Sequence, residues 1–317
     1  MLEQLLARRT GKVTLMEFKG SCALVTGASS GIGEVFAREL AGRGANLVLA
    51  ARSRGNLEAL ASELREIAQV SVHVEAVDLS EPGAGLALAA RLGEQGLQID
   101  VLINNAGFGL FGPLHEADPR RISQAVQLNV AALTELTCSL LPGMRARDRG
   151  AIVNVASTAA FQPVPYMAVY GATKAYVLSF TEALWAETRR TGVRVTALCP
   201  GATDTAFFDT ASDSASIGQR MAPERVVAAA FSALGRRRST VVPGLGNKLL
   251  TGSTRVAPRQ AVARMAERAL RPGLRPGCRG SHPGRPARRV PAPGPEPGTA
   301  GGDRMTQSAT ERQGPQR

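Results

Sequence analysis

Between about Ser21 and Gly244, short apolar runs alternate with longer stretches in which apolar residues recur every three or four positions. The runs Ser21–Thr26 (SCALVT), Asn46–Ala51 (NLVLAA), Val70–Val77, Val101–Ile103, Ala151–Val155, Val193–Leu198 and Thr240–Val242 read as strands. The stretches between them read as helices: Gly31–Ala41, Asn56–Ile67, Pro82–Glu94, Asp118–Arg147, Tyr166–Thr191 and Pro223–Leu234. Pro223 in a first turn, with Glu224 beside it, marks a helix start.

Strands that alternate with helices imply right-handed βαβ units around a parallel sheet. The expected fold class is α/β: a doubly wound Rossmann fold, a single parallel sheet of about seven strands with helices on both faces. The organisation expected is an extension over 1–20, one domain over 21–270, and a tail over 271–317. The domain includes a late basic amphipathic segment, APRQAVARMAERAL, ending at Leu270.

Composition changes the picture mainly at the end of the chain. The 317 residues carry a formal charge of +12, which raises nucleic acid or an acidic membrane as partners. Arg271–Arg317 supplies half of that excess, with nine arginines against three acids, and also holds nine prolines. With so little apolar material the tail is expected to be disordered. It fits a basic arm for nucleic acid or lipid head groups, a solvated tail without a partner, or an unusual reading frame. The lack of any aromatic residue to stack on bases favours the solvated tail, so no nucleic acid is expected. Met16 is an alternative start, because strand-like sequence begins only near Ser21. No run reaches the roughly 18 apolar residues of a membrane span, and no secretory leader is recognisable. Cys22, Cys138, Cys199 and Cys278 have no zinc spacing, and His73, His115 and His282 are isolated and share no spacing with acids, so no metal is expected. A reduced, cytoplasmic setting is the expectation.

The first strand runs into Gly27-Ala28-Ser29-Ser30-Gly31-Ile32-Gly33. Gly27 permits a tight turn, Gly31 lets backbone approach a diphosphate, and Gly33 lets the helix pack closely on the sheet. Free amides and the positive dipole of the helix start then receive phosphates. The second strand ends Ala51-Arg52-Ser53, with no carboxylate to bind the ribose hydroxyl of NAD. Arg52 suits a 2′-phosphate instead, so the cofactor read here is NADP(H). Further on, Tyr170 and Lys174 share one helical face. A lysine ammonium close to a phenol lowers its pKa, which makes the pair a proton donor and acceptor.

These features together resemble the short-chain dehydrogenase/reductase family, in its compact branch. The match covers about Lys19–Gly244 and rests on TGASSGIG at 26–33, Asp78-Leu79, NNAG at 104–107, Asn129, Ser157, Tyr170/Lys174 and Pro200-Gly201, in that order. The resemblance implies that Ser157 polarises a substrate carbonyl and that Tyr170 exchanges its proton. It implies that Lys174 tunes the tyrosine and holds the nicotinamide ribose, and that Asn129 supports a relay water. Asp78 and Leu79 would meet the adenine, and Asn105, Ala106 and Gly107 would line the cofactor. Pro200, Gly201, Thr203 and Thr205 would hold the nicotinamide end, although Thr203 stands where the branch often has Val. The implied activity is hydride transfer between NADP(H) and a carbonyl or secondary alcohol, in a homodimer or homotetramer.

Aromatic residues cluster after the fourth, fifth and sixth strands. Phe108, Phe161, Tyr166 and Phe207 are therefore the candidate substrate contacts, and an apolar ketone or aldehyde is the expected substrate. Asp209–Arg220 is small and polar, as a mobile lid would be. The competing class is a non-catalytic nucleotide sensor or scaffold of the same fold. An intact Ser157/Tyr170/Lys174 set argues against it.

Overall fold

The structure is a computed structural model that describes residues 18–205, 220–254 and 257–271. Phe207, the segment 209–219, Met16 and the tail beyond Arg271 lie outside the described residues. The chain divides into two units, 1–274 and 275–317, and every described residue falls in the first.

The strands are β1 (Cys22–Thr26), β2 (Asn46–Ala51), β3 (Val72–Ala76), β4 (Val101–Asn104), β5 (Gly150–Val155), β6 (Val193–Leu198) and β7 (Thr240–Val241). All pair in parallel, in the order β3-β2-β1-β4-β5-β6-β7. The order reverses between β1 and β4. Beyond the carboxyl ends of those two strands lies the crevice where doubly wound sheets take ligands.

Successive residues of each strand enter opposite faces, so both faces must be covered. Ala23, Val25, Leu47, Leu49 and Ile103 join the core on one side. There they meet α1 (Gly31–Gly42), α2 (Arg54–Ala68) and α7 (Pro223–Gly235). Leu24, Val48, Leu102 and Ile152 join the other core. That one is closed by α3 (Ala84–Glu94), α5 (Leu133–Ala146) and α6 (Ala168–Thr188).

The helical stretch expected over Asp118–Arg147 is a composite. Asp118 caps α4 (Pro119–Val126) by accepting a bond from the Arg120 amide, and α4 runs through a π-helical segment, Gln127–Ala132, into α5. A π segment re-aims side chains within a helix and is costly to keep. Here it contains Asn129, one of the expected site residues. The helix expected from Tyr166 starts only at Ala168, because Tyr166 adopts a left-handed conformation, φ +64°, that no helix accommodates. Two helices follow β7: α8 (Leu245–Ser253) and α9 (Arg259–Leu270). Among the described residues no helix is long and apolar enough to cross a membrane.

Candidate active site

A cleft of about 560 Å³ runs along the carboxyl ends of the strands. Its first end is shaped by the turn between β1 and α1. Gly27 and Gly31 both have positive φ, at +65° and +58°. A Cβ at Gly31 would sit 2.9 Å from Cγ2 of Thr205, and one at Gly27 2.8 Å from Nδ2 of Asn105. Side chains at these positions would fill the cradle. Ser30, at the N-cap of α1, makes no side-chain capping bond, and the first-turn amides of a helix have no partner within it. Ser29, Ser30, Gly31 and Ile32 thus bring unused donors to the cleft wall, the arrangement that receives phosphates. This fits the diphosphate of a dinucleotide.

Gly33 lies beneath the turn rather than on the cleft. A Cβ there would approach the Gly27 carbonyl oxygen to 2.2 Å and Asn105 Nδ2 to 2.5 Å. Asn105 is the brace of the turn: its Nδ2 donates to the carbonyls of Thr26 at 3.0 Å and Gly27 at 3.2 Å. Its own amide and that of Ala106 donate to Thr26 Oγ1. Gly33→Ala should therefore cost about 1–3 kcal/mol of stability by overpacking and weaken dinucleotide binding. Thermal unfolding with and without NADPH measures both, and a variant that keeps the wild-type midpoint and ligand shift would contradict this account of the turn.

Arg52, Asp78 and Leu79 also line the cleft. Arg52 is exposed at the end of β2. Burial alone would raise the Asp78 carboxyl. Two bonds from Ser80 and the positive fields of Arg52 and Arg121 outweigh that and hold it below the usual carboxylate range. The pair offers a fixed anion and a solvent-facing cation, consistent with an adenine contact and a phosphate contact respectively.

Ser157, Tyr170 and Lys174 converge further along the cleft, which Pro200, Gly201, Thr203 and Thr205 also line, Thr205 lying against Gly31. Ser157 follows β5, and its side chain accepts the Ala159 amide at 3.1 Å while also hydrogen-bonding Tyr170. Lys174 Nζ lies 5.8 Å from the centre of the Tyr170 ring and donates to the Val155 carbonyl at 2.7 Å. The expectation that the ammonium lowers the tyrosine pKa is not met by this geometry. Burial pushes the Tyr170 phenol up to about 12, and the group that pulls it down is Ser157. Burial also pushes the Lys174 ammonium down to about 8.

That lysine shift has a sign. Between pH 8 and about 10.5 the unfolded chain holds the Lys174 proton and the folded chain does not, so stability rises with pH across that window. In Lys174→Met the rise is absent. The denaturation midpoint of the variant should therefore lose ground to wild type as pH goes from 7 to 10, and a constant difference would contradict the buried ammonium.

Asn129 is 1% exposed and lies behind the cleft wall, not on it. Its Oδ1 accepts the Phe108 amide at 3.1 Å, and its Nδ2 donates to the Phe108 carbonyl at 2.9 Å and to Thr173 Oγ1 at 3.1 Å. The side chain clamps the segment after β4 onto α6, which explains why the π segment is tolerated. Ala106, Gly107 and Phe108 consequently face the cleft beside Tyr170.

The substrate residues are only partly brought together. Phe108 lines the cleft, with the Arg121 guanidinium 4.8 Å over its ring. Phe161 packs instead against the core cluster that includes Ala156, Val177 and Leu178, because the short 3-10 turn Thr158–Phe161 folds its ring inward. Tyr166 lines a neighbouring apolar cavity of about 300 Å³ rather than the cleft. Sequence reasoning missed Asn247 and Leu250 of α8 and Leu270 of α9, which line the cleft from the late helices. Apolar residues at helical spacing look the same in sequence whether they face a core or a ligand.

A phosphate cradle at the reversal point of the sheet, with a serine-bound tyrosine and a buried lysine further along the cleft, defines a dinucleotide-dependent oxidoreductase. The family model of short chain dehydrogenases matches residues 21–216, and the chain belongs to that family. It is 32% identical, over 73% of its length and 74% of the relative's, to a very-long-chain 3-oxoacyl-CoA reductase of Anas platyrhynchos. A short-chain dehydrogenase from Sphingobium yanoikuyae, solved in complex with NADPH, shares 36% identity at a TM-score of 0.68, covering 76% of this chain and 97% of that one. A bulky-bulky ketone specific alcohol dehydrogenase from Comamonas testosteroni shares 35% identity at a TM-score of 0.64, covering 78% and 98%.

Proposed function

We propose that this oxidoreductase reduces apolar ketones or aldehydes with NADPH, and that Tyr170 delivers the proton. The observation that carries this reading is the hydrogen bond between Ser157 and Tyr170 in a cleft that Arg52 also lines. When bound, NADPH supplies a hydride to the carbonyl carbon. The chain does the rest. Ser157 and Tyr170 hydrogen-bond the carbonyl oxygen, polarise it, and stabilise the negative charge that develops there. The Tyr170 proton then passes to that oxygen, the products are an alcohol and NADP⁺, and a proton from solvent restores the Tyr170 phenol. With its pKa pushed up to about 12, Tyr170 holds its proton at neutral pH, the form that can donate to the carbonyl oxygen. Lys174 places a positive charge beside the same site and is available to the nicotinamide ribose. Thr203 and Thr205 line the cleft and are available to the cofactor.

The NADPH named for the Sphingobium relative and the bulky ketone named for the Comamonas relative support the cofactor and the substrate class. Apolar lining from Phe108, Leu250 and Leu270 supports the same substrate class. The test is turnover by the purified full chain with NADPH or NADH and a graded series of ketones. Faster consumption of NADPH, with kcat/KM rising as the ketone becomes more apolar, is expected. Tight NADPH binding without consumption on any carbonyl would overturn the proposal.

A further inference from the structure

α9 is held to the fold by few buried residues. Of its twelve residues only Val262 and Leu270 are buried, and Met265 is exposed. A helix this short is marginal without tertiary contacts. Leu270, at its carboxyl end, is 5% exposed and lines the same cleft as Tyr170. Polar contacts with Tyr166 fix it there: the Tyr166 hydroxyl donates to Glu267 Oε1 at 3.1 Å and also meets the Arg271 side chain. Arg271 pairs with the same carboxylate at 2.7 Å and holds it in place.

Tyr166 is itself set for this contact. Its backbone lies at φ +64°, a conformation that bulky residues rarely adopt and that persists only where surrounding contacts impose it. The Gly112 amide donates to its carbonyl at 2.8 Å, and the Phe111 ring lies 6.2 Å away, centre to centre. The result is a phenol aimed at α9, four residues before the tyrosine of the cleft.

We propose that α9 is a movable wall on the substrate side of the cleft, latched by Tyr166 to Glu267, and that Leu270 limits the size of the apolar arm a ketone can carry. This rests on the ketone-reducing reading above. Few buried residues and a polar anchor at Tyr166 are what a segment that opens for substrate entry requires. Glu267 and Tyr166 are positioning residues for Leu270, and Leu270 determines specificity.

Two measurements on the full chain test this. The first is hydrogen exchange of the amides of α9 in wild type, Glu267→Ala, Tyr166→Phe and the control Arg264→Ala, which removes a charge from the same helix away from the latch. Loss of a hydrogen bond to a charged group should speed exchange roughly tenfold or more in the first two variants and leave the control near wild type. Equal rates in all four would overturn the latch. The second is the ratio of kcat/KM for ketones with two bulky arms to that for small methyl ketones. Leu270→Ala should raise this ratio about tenfold or more, through KM, with the NADPH Kd unchanged. An unchanged ratio would overturn the role of Leu270. Absence of turnover by wild type on every ketone would overturn the reductase reading and the size selection with it, while the exchange rates would still judge the latch.

Discussion

Tyr170→Phe should lower kcat for carbonyl reduction by about a hundredfold to ten-thousandfold, the range general acid catalysis supplies. The substitution removes one hydroxyl and keeps the ring. The first turn of α6 and the polar clamp beside it depend on other atoms: Thr173 Oγ1 donates to the Tyr170 carbonyl at 2.8 Å, and Lys174 donates to Val155. The fold should therefore be unchanged, and NADPH should bind with a Kd within about threefold of wild type, because no charge-assisted bond is lost. Steady-state kinetics and cofactor fluorescence separate the two effects. A variant with wild-type kcat would remove Tyr170 from the chemistry. A variant that also lost NADPH binding would mean that the hydroxyl has a structural role in the cleft.

Arg52→Asp carries the second large effect. Arg52 is exposed beside Asp78, whose carboxyl stays ionised at neutral pH. An aspartate at 52 would put a second negative charge where the 2′-phosphate of NADPH would lie. Loss of the charge-assisted bond alone is worth about 1.5–3 kcal/mol, roughly tenfold to a hundredfold in kcat/KM with NADPH, and repulsion adds to it. NADH has no phosphate at that position, and the new carboxylate can accept the ribose hydroxyl. Its kcat/KM should hold or rise, so that preference inverts. Parallel kinetics with both cofactors measure this, and a uniform loss with NADH and NADPH would show that Arg52 acts on the fold rather than on the phosphate.

Much of the architecture was readable from the chain. Strands buried on both faces are short apolar runs, and Leu24 between Ala23 and Val25 marks a strand whose two sides both need covering. The glycine turn was legible for a similar reason, since only glycine fits where a Cβ would meet the Gly27 carbonyl. What sequence could not supply was the consequence of burial. The Tyr170/Lys174 spacing suggested an acidified phenol, yet desolvation of both groups moves the tyrosine up and the lysine down. Nor does spacing reveal which way a ring turns. Phe161 and Tyr166 both stand between Ser157 and Tyr170 in sequence, but one packs against a core cluster and the other reaches α9. Asn129 was found by pattern alone; its two-sided grip on the Phe108 backbone depends on a π segment that no local propensity announces.

The central claim is hydride transfer to a carbonyl with Tyr170 supplying the proton. The most direct measurement uses NADPH deuterated on its nicotinamide ring, an apolar ketone and the full chain, with mass analysis of the alcohol formed. One deuterium on the carbinol carbon in wild type, and labelled alcohol formed about a hundredfold or more slowly in Tyr170→Phe, is the predicted result. Unlabelled alcohol, or label transferred equally well by the variant, would contradict it.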